Sequence, residues 1–86
     1  MKTEAILIQV LEDVIGVKNV TPYTRFPDIG GNSLNLVEVL KRMKAQVGVT
    51  PPPRQFFDRT RSSVAELAAA TDALREASRN TADAAS

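Results

Sequence analysis

The sequence predicts an all-α fold, a small helical bundle of three main helices plus one short helix, with a long loop between helices one and two. Three segments carry apolar residues at intervals of three and four, the spacing of one helix face. All four glycines and all five prolines lie between these segments, where they interrupt helices. There is no strand-like alternation and no internal repeat. At 86 residues, the chain is long enough for one small domain.

The first helix is predicted over residues 3–15. Thr3 is a suitable N-cap, and Glu4 puts a negative charge in the first turn, where it favours the helix dipole. Gly16 ends the helix. One apolar stripe is expected to face the core: Ile6, Leu7, Val10, Leu11 and Val14.

Residues 16–32 are predicted to form a long loop, because glycine and proline recur throughout them. Loops of this length are uncommon in compact domains and are often functional. A short helical turn within the loop is compatible with the sequence. We expect five apolar side chains to anchor the loop across the core: Val17, Val20, Tyr23, Phe26 and Ile29.

The second helix is predicted over residues 33–47 and ends at Gly48. Its core stripe follows the helical period and contains Leu36, Val39, Leu40, Met43 and Val47. Leu34 and Val37 fall outside this stripe, on a face shared with Lys41 and Lys44. Two interpretations of that face stay open: the apolar residues pack on the loop, or they form a small docking patch for partners.

The remaining chain predicts one short helix and a third long one. Residues 49–53 contain three prolines and should be extended, and residues 55–58 suggest a helical turn with one aromatic side chain facing inward. Ser63 and Glu66 fit a capping box at the start of helix three. The apolar stripe of that helix is Val64, Leu67, Ala68, Thr71 and Leu74. No large apolar residue follows, so we predict a domain over residues 1–76 and a disordered tail over residues 77–86.

Composition excludes several classes of function. The chain contains no Cys and no His, which removes disulfides, thiolate or imidazole metal sites and every catalytic triad that uses His as its base. We therefore expect neither an enzyme nor a metal site. A net charge of +1 argues against nucleic-acid and membrane partners. No apolar run approaches the roughly 20 residues that cross a bilayer, and no signal-peptide core is present, so we expect a cytoplasmic protein.

The stretch from Asp28 to Leu34 is the most informative part of the sequence. Gly30 and Gly31 supply backbone freedom, including positive φ, and remove side chains that would keep a phosphate or another protein away. Asn32 and Ser33 are both good N-cap residues, so Ser33 should lie at a helix N-terminus with its hydroxyl near solvent. A phosphate ester there would meet unpaired N–H groups and the positive end of the helix dipole. These seven residues alone are equally compatible with a capped turn that has no function.

The order of elements and several motifs resemble those of the carrier-protein family, the acyl and peptidyl carriers that bear a 4′-phosphopantetheine arm. The resemblance covers roughly residues 3 to 75. The motifs that carry it are Asp28-x-Gly30-Gly31-x-Ser33-Leu34, Gly48-Val49 with a following proline, Phe56-Phe57, and Ser63-Val64-Ala65-Glu66-Leu67-Ala68.

The resemblance implies that Ser33 is the covalent attachment site, with Gly31 and Asn32 beside it in the cofactor-binding motif. It implies that Leu34 and Val37 bind partners, and we expect Lys41, on the same face of the helix, to bind them as well. The expected partners are a phosphopantetheinyl transferase that uses coenzyme A, an adenylating or acylating loading enzyme, and condensation or tailoring enzymes. The absence of Cys and His agrees with this reading, because the thiol is imported with the cofactor.

The paired glycines and near-neutral charge resemble a peptidyl carrier of nonribosomal peptide assembly more than a fatty-acid or polyketide carrier. Asn32 departs from the His or Asp common at that position in peptidyl carriers. Because the chain begins and ends close to the domain boundaries, we expect a free-standing protein, although a domain excised from a multidomain synthase would look the same. We also expect a monomer. Three alternatives remain: an acyl carrier of polyketide or fatty-acid type, an unmodified helical interaction module, or a nucleic-acid binder that uses Lys41, Arg42, Lys44, Arg54, Arg59 and Arg61.

Overall fold

The computed structural model describes the backbone of residues 3–85 and the side chains of residues 3–77. Three α-helices make up the fold: α1 (Thr3–Leu11), α2 (Ser33–Val47) and α3 (Val64–Ala85). Two short 3₁₀ turns, Phe26–Ile29 and Pro53–Phe57, lie in the connections. The predicted all-α fold is confirmed, since the described residues contain no strand beyond one isolated bridge between Arg25 and Ser63.

The first helix continues past Leu11 as one π-helical turn, Glu12–Gly16. It ends at Gly16, as predicted, where φ reaches +81°. The role of Thr3 differs from the prediction. Thr3 is the first residue of α1, buried, and its hydroxyl donates to the Asp72 carboxylate on α3 instead of capping its own helix. Thr3 therefore joins two helices.

The core lies where the three helices meet the two 3₁₀ turns. Phe26 is fully buried, and its ring makes edge-to-face contacts with Phe56 and Phe57 at centroid distances of 5.1 and 5.6 Å. Burying one such side chain stabilises the fold by about 1.5–3 kcal/mol. The buried residues of the core cluster are Leu7, Val10, Leu11, Val20, Phe26, Leu36, Val39, Met43, Phe56, Val64 and Leu67.

The long loop is anchored differently from the expectation at one position. Val20 and Phe26 are buried, and the turn Phe26–Ile29 is the helical turn that the sequence allowed. Tyr23, however, is 86% exposed, so its assignment as an anchor was wrong. The backbone around it is held by Thr21, whose carbonyl oxygen accepts from Thr24 N–H at 3.1 Å. These polar contacts fix the turn without burying the ring.

Backbone hydrogen bonds join the loop to the start of α3. Val64 N–H donates to Thr24 O at 2.9 Å, Ala65 N–H donates to Pro22 O at 2.9 Å, and Phe26 N–H donates to Ser62 O at 3.3 Å. Because these bonds connect segments far apart in sequence, the loop has a fixed position just before α2.

Helix three begins as predicted. Ser63 Oγ accepts from Glu66 N–H at 3.2 Å, which is the serine half of the capping box. The backbone of α3 extends to Ala85, longer than the sequence prediction, which ended it near residue 76. Alanine recurs in this stretch and has the highest helix propensity. The domain boundary at residue 76 and the disorder of residues 77–86 stay predictions; most of this tail lies outside the residues whose side chains are described. Across the described chain, no helix is long and apolar enough to cross a membrane.

Candidate functional site

The site begins at the turn that leads into α2. The 3₁₀ turn Phe26–Ile29 ends at Gly30, which adopts φ +83° and ψ 17° and whose N–H donates back to Pro27 O at 3.2 Å. This left-handed conformation costs a non-glycine residue roughly 1–2 kcal/mol. No atom lies within 4 Å of a Cβ built at Gly30, so backbone conformation is the requirement at this position.

Gly31 meets a different requirement. Its φ is not positive, but a Cβ at this position would lie 2.5 Å from Cε2 of the Phe26 ring. Its N–H donates to Phe26 O at 3.1 Å. Gly31 therefore seats the turn against the aromatic core. Sequence reasoning, which gave both glycines the same role, missed this contact.

Asn32 provides the N-cap of α2. Its backbone is extended, its Oδ1 accepts from Asn35 N–H at 2.9 Å, and its carbonyl oxygen accepts from Leu36 N–H at 2.9 Å. The sequence left the cap to either Asn32 or Ser33, and the structure assigns it to Asn32. Ser33 becomes the first residue of a helix whose bounds are as predicted.

The Ser33 side chain is exposed, and its hydroxyl makes no hydrogen bond within the described part of the chain. The N–H groups of Ser33 and Leu34 also have no partner there, because the oxygen atoms of Asn32 accept only from the N–H groups of Asn35 and Leu36. A phosphate ester on Ser33 would therefore meet two available donors and the positive end of a 15-residue helix. The chain contains no His or Cys, so no imidazole or thiolate of its own can act as a base toward this hydroxyl.

Two ion pairs with at least partly exposed side chains lie near the site. Arg25 Nε lies 3.4 Å from Asp28 Oδ2, and Arg42 Nε donates to Glu38 Oε2 at 2.9 Å. The hydrogen bond from Arg42, aided by the positive charge of Lys41, lowers the pKa of the Glu38 carboxyl. In the described residues, no cluster of His, Cys, Asp or Glu could hold a metal ion.

Three residues of α2 form what we call the docking face: Leu34, Val37 and Lys41. Leu34 is 83% exposed, Val37 is 65% exposed, and Lys41 is exposed as well. Their spacing of three and four residues places them on one side of the helix. Of the two interpretations left open by the sequence, packing of Leu34 and Val37 on the loop is therefore wrong.

Sequence reasoning missed a small groove beside the site. A cavity of about 240 Å³ lies between the 3₁₀ turn before Gly30 and the segment that leads into α3, and Ser62 lies in its wall. A larger cavity of about 410 Å³, between α1 and α3, includes no residue of the glycine turn or α2. Ser62 gives no sequence signal of its own, because it precedes the capping Ser63 and looks like an ordinary loop residue.

Comparison with known proteins gives one family match. Residues 5–71 match the family described as "Phosphopantetheine attachment site". No solved structure gives a significant match to the chain.

Similar curated proteins are large synthases. The chain is 36% identical over 72 residues to a linear gramicidin synthase of Brevibacillus parabrevis, covering 84% of the chain. It is 43% identical over 53 residues to a phenolphthiocerol synthesis polyketide synthase type I of Mycobacterium bovis, and 30% identical over 57 residues to bacitracin synthase 3 of Bacillus licheniformis, covering 60% and 66% of the chain. The chain spans only 1–2% of the length of these three relatives.

Proposed function

The chain belongs to the phosphopantetheine attachment-site family, and on that premise we propose that Ser33 carries the 4′-phosphopantetheine arm. The family is non-catalytic and holds this cofactor covalently. The observation that supports Ser33 is its exposed, unpaired hydroxyl at the first residue of α2, directly after the Gly30 turn and the Asn32 cap. Gly31 and Asn32 act through the position of this serine: one seats the turn on the core and the other fixes the helix start.

The proposed attachment is a group transfer from coenzyme A. Ser33 Oγ forms the new bond to the phosphorus that bears pantetheine, and the bond from that phosphorus to the bridging oxygen of coenzyme A breaks. Adenosine 3′,5′-bisphosphate leaves, and the hydroxyl proton passes to a base of a phosphopantetheinyl transferase. The Ser33 and Leu34 N–H groups are placed to stabilise the phosphate that remains. Once attached, the arm supplies a thiol that holds an acyl or aminoacyl group as a thioester.

We assign partner recognition to the docking face of Leu34, Val37 and Lys41. This face consists of two exposed apolar side chains and a cation, and its first residue directly follows Ser33. An enzyme that reaches the serine would therefore contact it. The proposed partners are the transferase, an adenylating or acylating loading enzyme, and condensation or tailoring enzymes. We propose that the carrier is a monomer and acts in the cytoplasm.

Within secondary metabolism, a peptidyl carrier of nonribosomal peptide assembly is the function that we favour. The support is that the similarity covering 84% of the chain is to a linear gramicidin synthase. An acyl carrier of polyketide type is the second candidate, because one relative is a polyketide synthase with 43% identity over a shorter stretch.

The test is intact-protein mass after incubation with coenzyme A, Mg²⁺ and a transferase of broad specificity. Wild type should gain the mass of one phosphopantetheine. Ser33→Ala should gain none, and Ser78→Ala, a matched serine substitution elsewhere in the chain, should gain as much as wild type. Modification of folded Ser33→Ala would overturn the assignment of Ser33.

A further inference from the structure

The net charge of +1 conceals an uneven distribution of charge along the chain. Residues 25–61, which we call the basic segment, contain seven of the 11 Lys and Arg residues and three of the 10 Asp and Glu residues, a net charge of +4. The rest of the chain contains four basic and seven acidic residues, a net charge of −3. The basic segment includes the glycine turn, Ser33 and all of α2. The candidate site therefore lies in the positively charged part of an almost neutral protein.

The three carboxylates of the basic segment are all engaged by neighbouring residues of the chain. Asp28 Oδ2 lies 3.4 Å from Arg25 Nε, and Glu38 Oε2 accepts from Arg42 Nε at 2.9 Å. Asp58 Oδ1 accepts from two backbone N–H groups in the turn that follows it, at 2.8 and 3.0 Å. The remaining cations of the segment are exposed and make no ion pair with any residue whose side chain is described: Lys41, Lys44, Arg54, Arg59 and Arg61.

Two of these cations lie on the same side of α2 as the exposed apolar residues. Lys44 follows Lys41 by three residues, so it continues the docking face of Leu34, Val37 and Lys41 by one turn. All four side chains fall within about 80° around the helix axis. Lys44, the most distant of them, lies roughly 17 Å from Ser33 along that axis. An enzyme that reaches Ser33 across this side of α2 therefore meets apolar and cationic groups together.

The arginines of the basic segment add positive charge close to the glycine turn. The Phe57 ring contacts the Phe26 ring at a centroid distance of 5.6 Å, and the Arg25 guanidinium donates to Arg59 O. These contacts hold residues 54–61 against the 3₁₀ turn that leads into the glycines. The positive charge of the basic segment is therefore also close in space to the candidate site.

We infer that the enzyme surface that meets the docking face is acidic, with carboxylates placed opposite Lys41 and Lys44. The inference rests on the proposed function, because it describes the chemistry of the partners that reach Ser33. Opposite charges accelerate the encounter of two proteins and exclude partners of the wrong charge. The uneven charge distribution also orients the carrier, because an acidic surface attracts the basic segment and repels the rest of the chain.

A protein partner fits this surface better than a nucleic acid does. The exposed side chains of Leu34 and Val37 lie on the same side of α2 as the two lysines. A phosphate backbone offers these side chains no apolar contact, whereas a protein interface combines apolar groups with charges.

The test measures how fast a phosphopantetheinyl transferase modifies wild type and single charge-reversal variants, at several concentrations of NaCl. Lys41→Glu and Lys44→Glu reverse the two charges in question. Arg75→Glu is the matched control, because it changes the net charge equally at an exposed cation in the wall of the cavity between α1 and α3, which includes no residue of α2. Because Lys44 is in the last turn of α2, where a positive charge favours the helix dipole, thermal unfolding first verifies that each variant is folded. Lys41→Gln removes a charge without adding a second carboxylate near Glu38, so it replaces Lys41→Glu if that variant is unstable.

Lys41→Glu and Lys44→Glu should each lower kcat/KM about fivefold, mainly through a higher KM for the carrier, because the charges act on encounter and docking. Lys41→Gln should lower it about twofold, and Arg75→Glu should stay within about twofold of wild type. Raising NaCl from about 0.05 to about 0.5 M should lower kcat/KM for wild type and bring the variants closer to it, because salt screens exposed charges.

An unchanged or higher kcat/KM in folded Lys41→Glu and Lys44→Glu would overturn the inference, and so would an equal loss in Arg75→Glu. Binding of the chain to a DNA duplex or to phosphatidylglycerol vesicles at about 0.15 M NaCl, abolished by both lysine reversals, would assign these cations to phosphate groups and overturn it as well. Failure of wild type to gain phosphopantetheine would overturn the proposed function. That result is distinct from a wild type that is modified at a rate insensitive to both lysines.

Discussion

The two sides of α2 have the same residue spacing and opposite solvent exposure. Leu36, Val39 and Met43 are buried, whereas the docking face of Leu34, Val37 and Lys41 is exposed. The two sets are displaced by two residues, which is about 200° around the helix axis. The turn before α2 repeats the contrast, with Gly31 against the Phe26 ring and the Ser33 hydroxyl in solvent.

We assign the buried residues to positioning Ser33 and the exposed residues to the surface that a partner enzyme would approach. The buried side fixes where α2 begins and how it is oriented on the core. The apolar side chains of the exposed side lie outside the core, and we propose that they contact partners. Substitutions on the buried side should therefore change stability, and substitutions on the exposed side should change partner encounters.

The largest effect is expected from cavity formation on the buried side. Met43→Ala should lower the free energy of unfolding by about 2–5 kcal/mol, because Met43 is fully buried. Leu34→Ala, a similar truncation on the exposed side, should stay within about 0.5 kcal/mol of wild type. Urea unfolding measures both. Similar losses in the two variants would mean that Leu34 belongs to the core and that the contrast is false.

The two glycines offer a sharper comparison inside the turn. Gly31→Ala should cost about 1–3 kcal/mol, because the added methyl group meets the Phe26 ring. Gly30→Asn should cost less than about 1 kcal/mol, because asparagine tolerates the left-handed conformation and the space around Gly30 is open. Thermal unfolding of both variants provides the measurement. A larger loss for Gly30→Asn would contradict the division of roles between them.

On the exposed side, the effect should appear in partner kinetics. Val37→Asp should keep helicity and stability near wild type while lowering the kcat/KM of the phosphopantetheinyl transferase roughly tenfold, the size of one lost apolar contact at an interface. Gln46→Glu is the control, because it adds the same charge at an exposed position about 180° around the axis of α2 from Val37. Collapse of helicity in Val37→Asp, or an equal kinetic loss in Gln46→Glu, would argue against the docking face.

The smallest effect should come from the exposed ion pair of Glu38 and Arg42. The hydrogen bond from Arg42 lowers the pKa of Glu38 below its ordinary value of 4.5, so the folded state binds this proton less readily than the unfolded chain. The resulting stabilisation is present above pH 4.5 and is lost as the pH falls through the lowered pKa. Wild type should thus lose slightly more stability than Glu38→Gln between pH 6 and about pH 3 in urea unfolding. Identical pH dependence in the two proteins would show that the ion pair contributes nothing to stability.

Local patterns predicted α2 well. Capping residues and Gly48 mark its ends, and the apolar period correctly divides Leu36 from Leu34. The same reasoning failed where contacts join distant segments. The Phe26 ring beneath Gly31, the bond from Thr3 to Asp72 and the groove around Ser62 depend on how the loop packs against α3, which no local pattern encodes. The prediction for Tyr23 was wrong because it assumed that an aromatic side chain in this loop would be buried. Hydrogen bonds between Thr21 and Thr24 hold the turn instead.

The measurement that tests the central claim most directly is tryptic peptide mapping of wild-type protein treated with coenzyme A and transferase. Cleavage after Arg25 and Lys41 releases the peptide of residues 26–41, in which Ser33 is the only side-chain hydroxyl. We expect one phosphopantetheine on this peptide and none on the peptides that contain the other serines. An unmodified 26–41 peptide beside a modified one from elsewhere in the chain would contradict the assignment of Ser33.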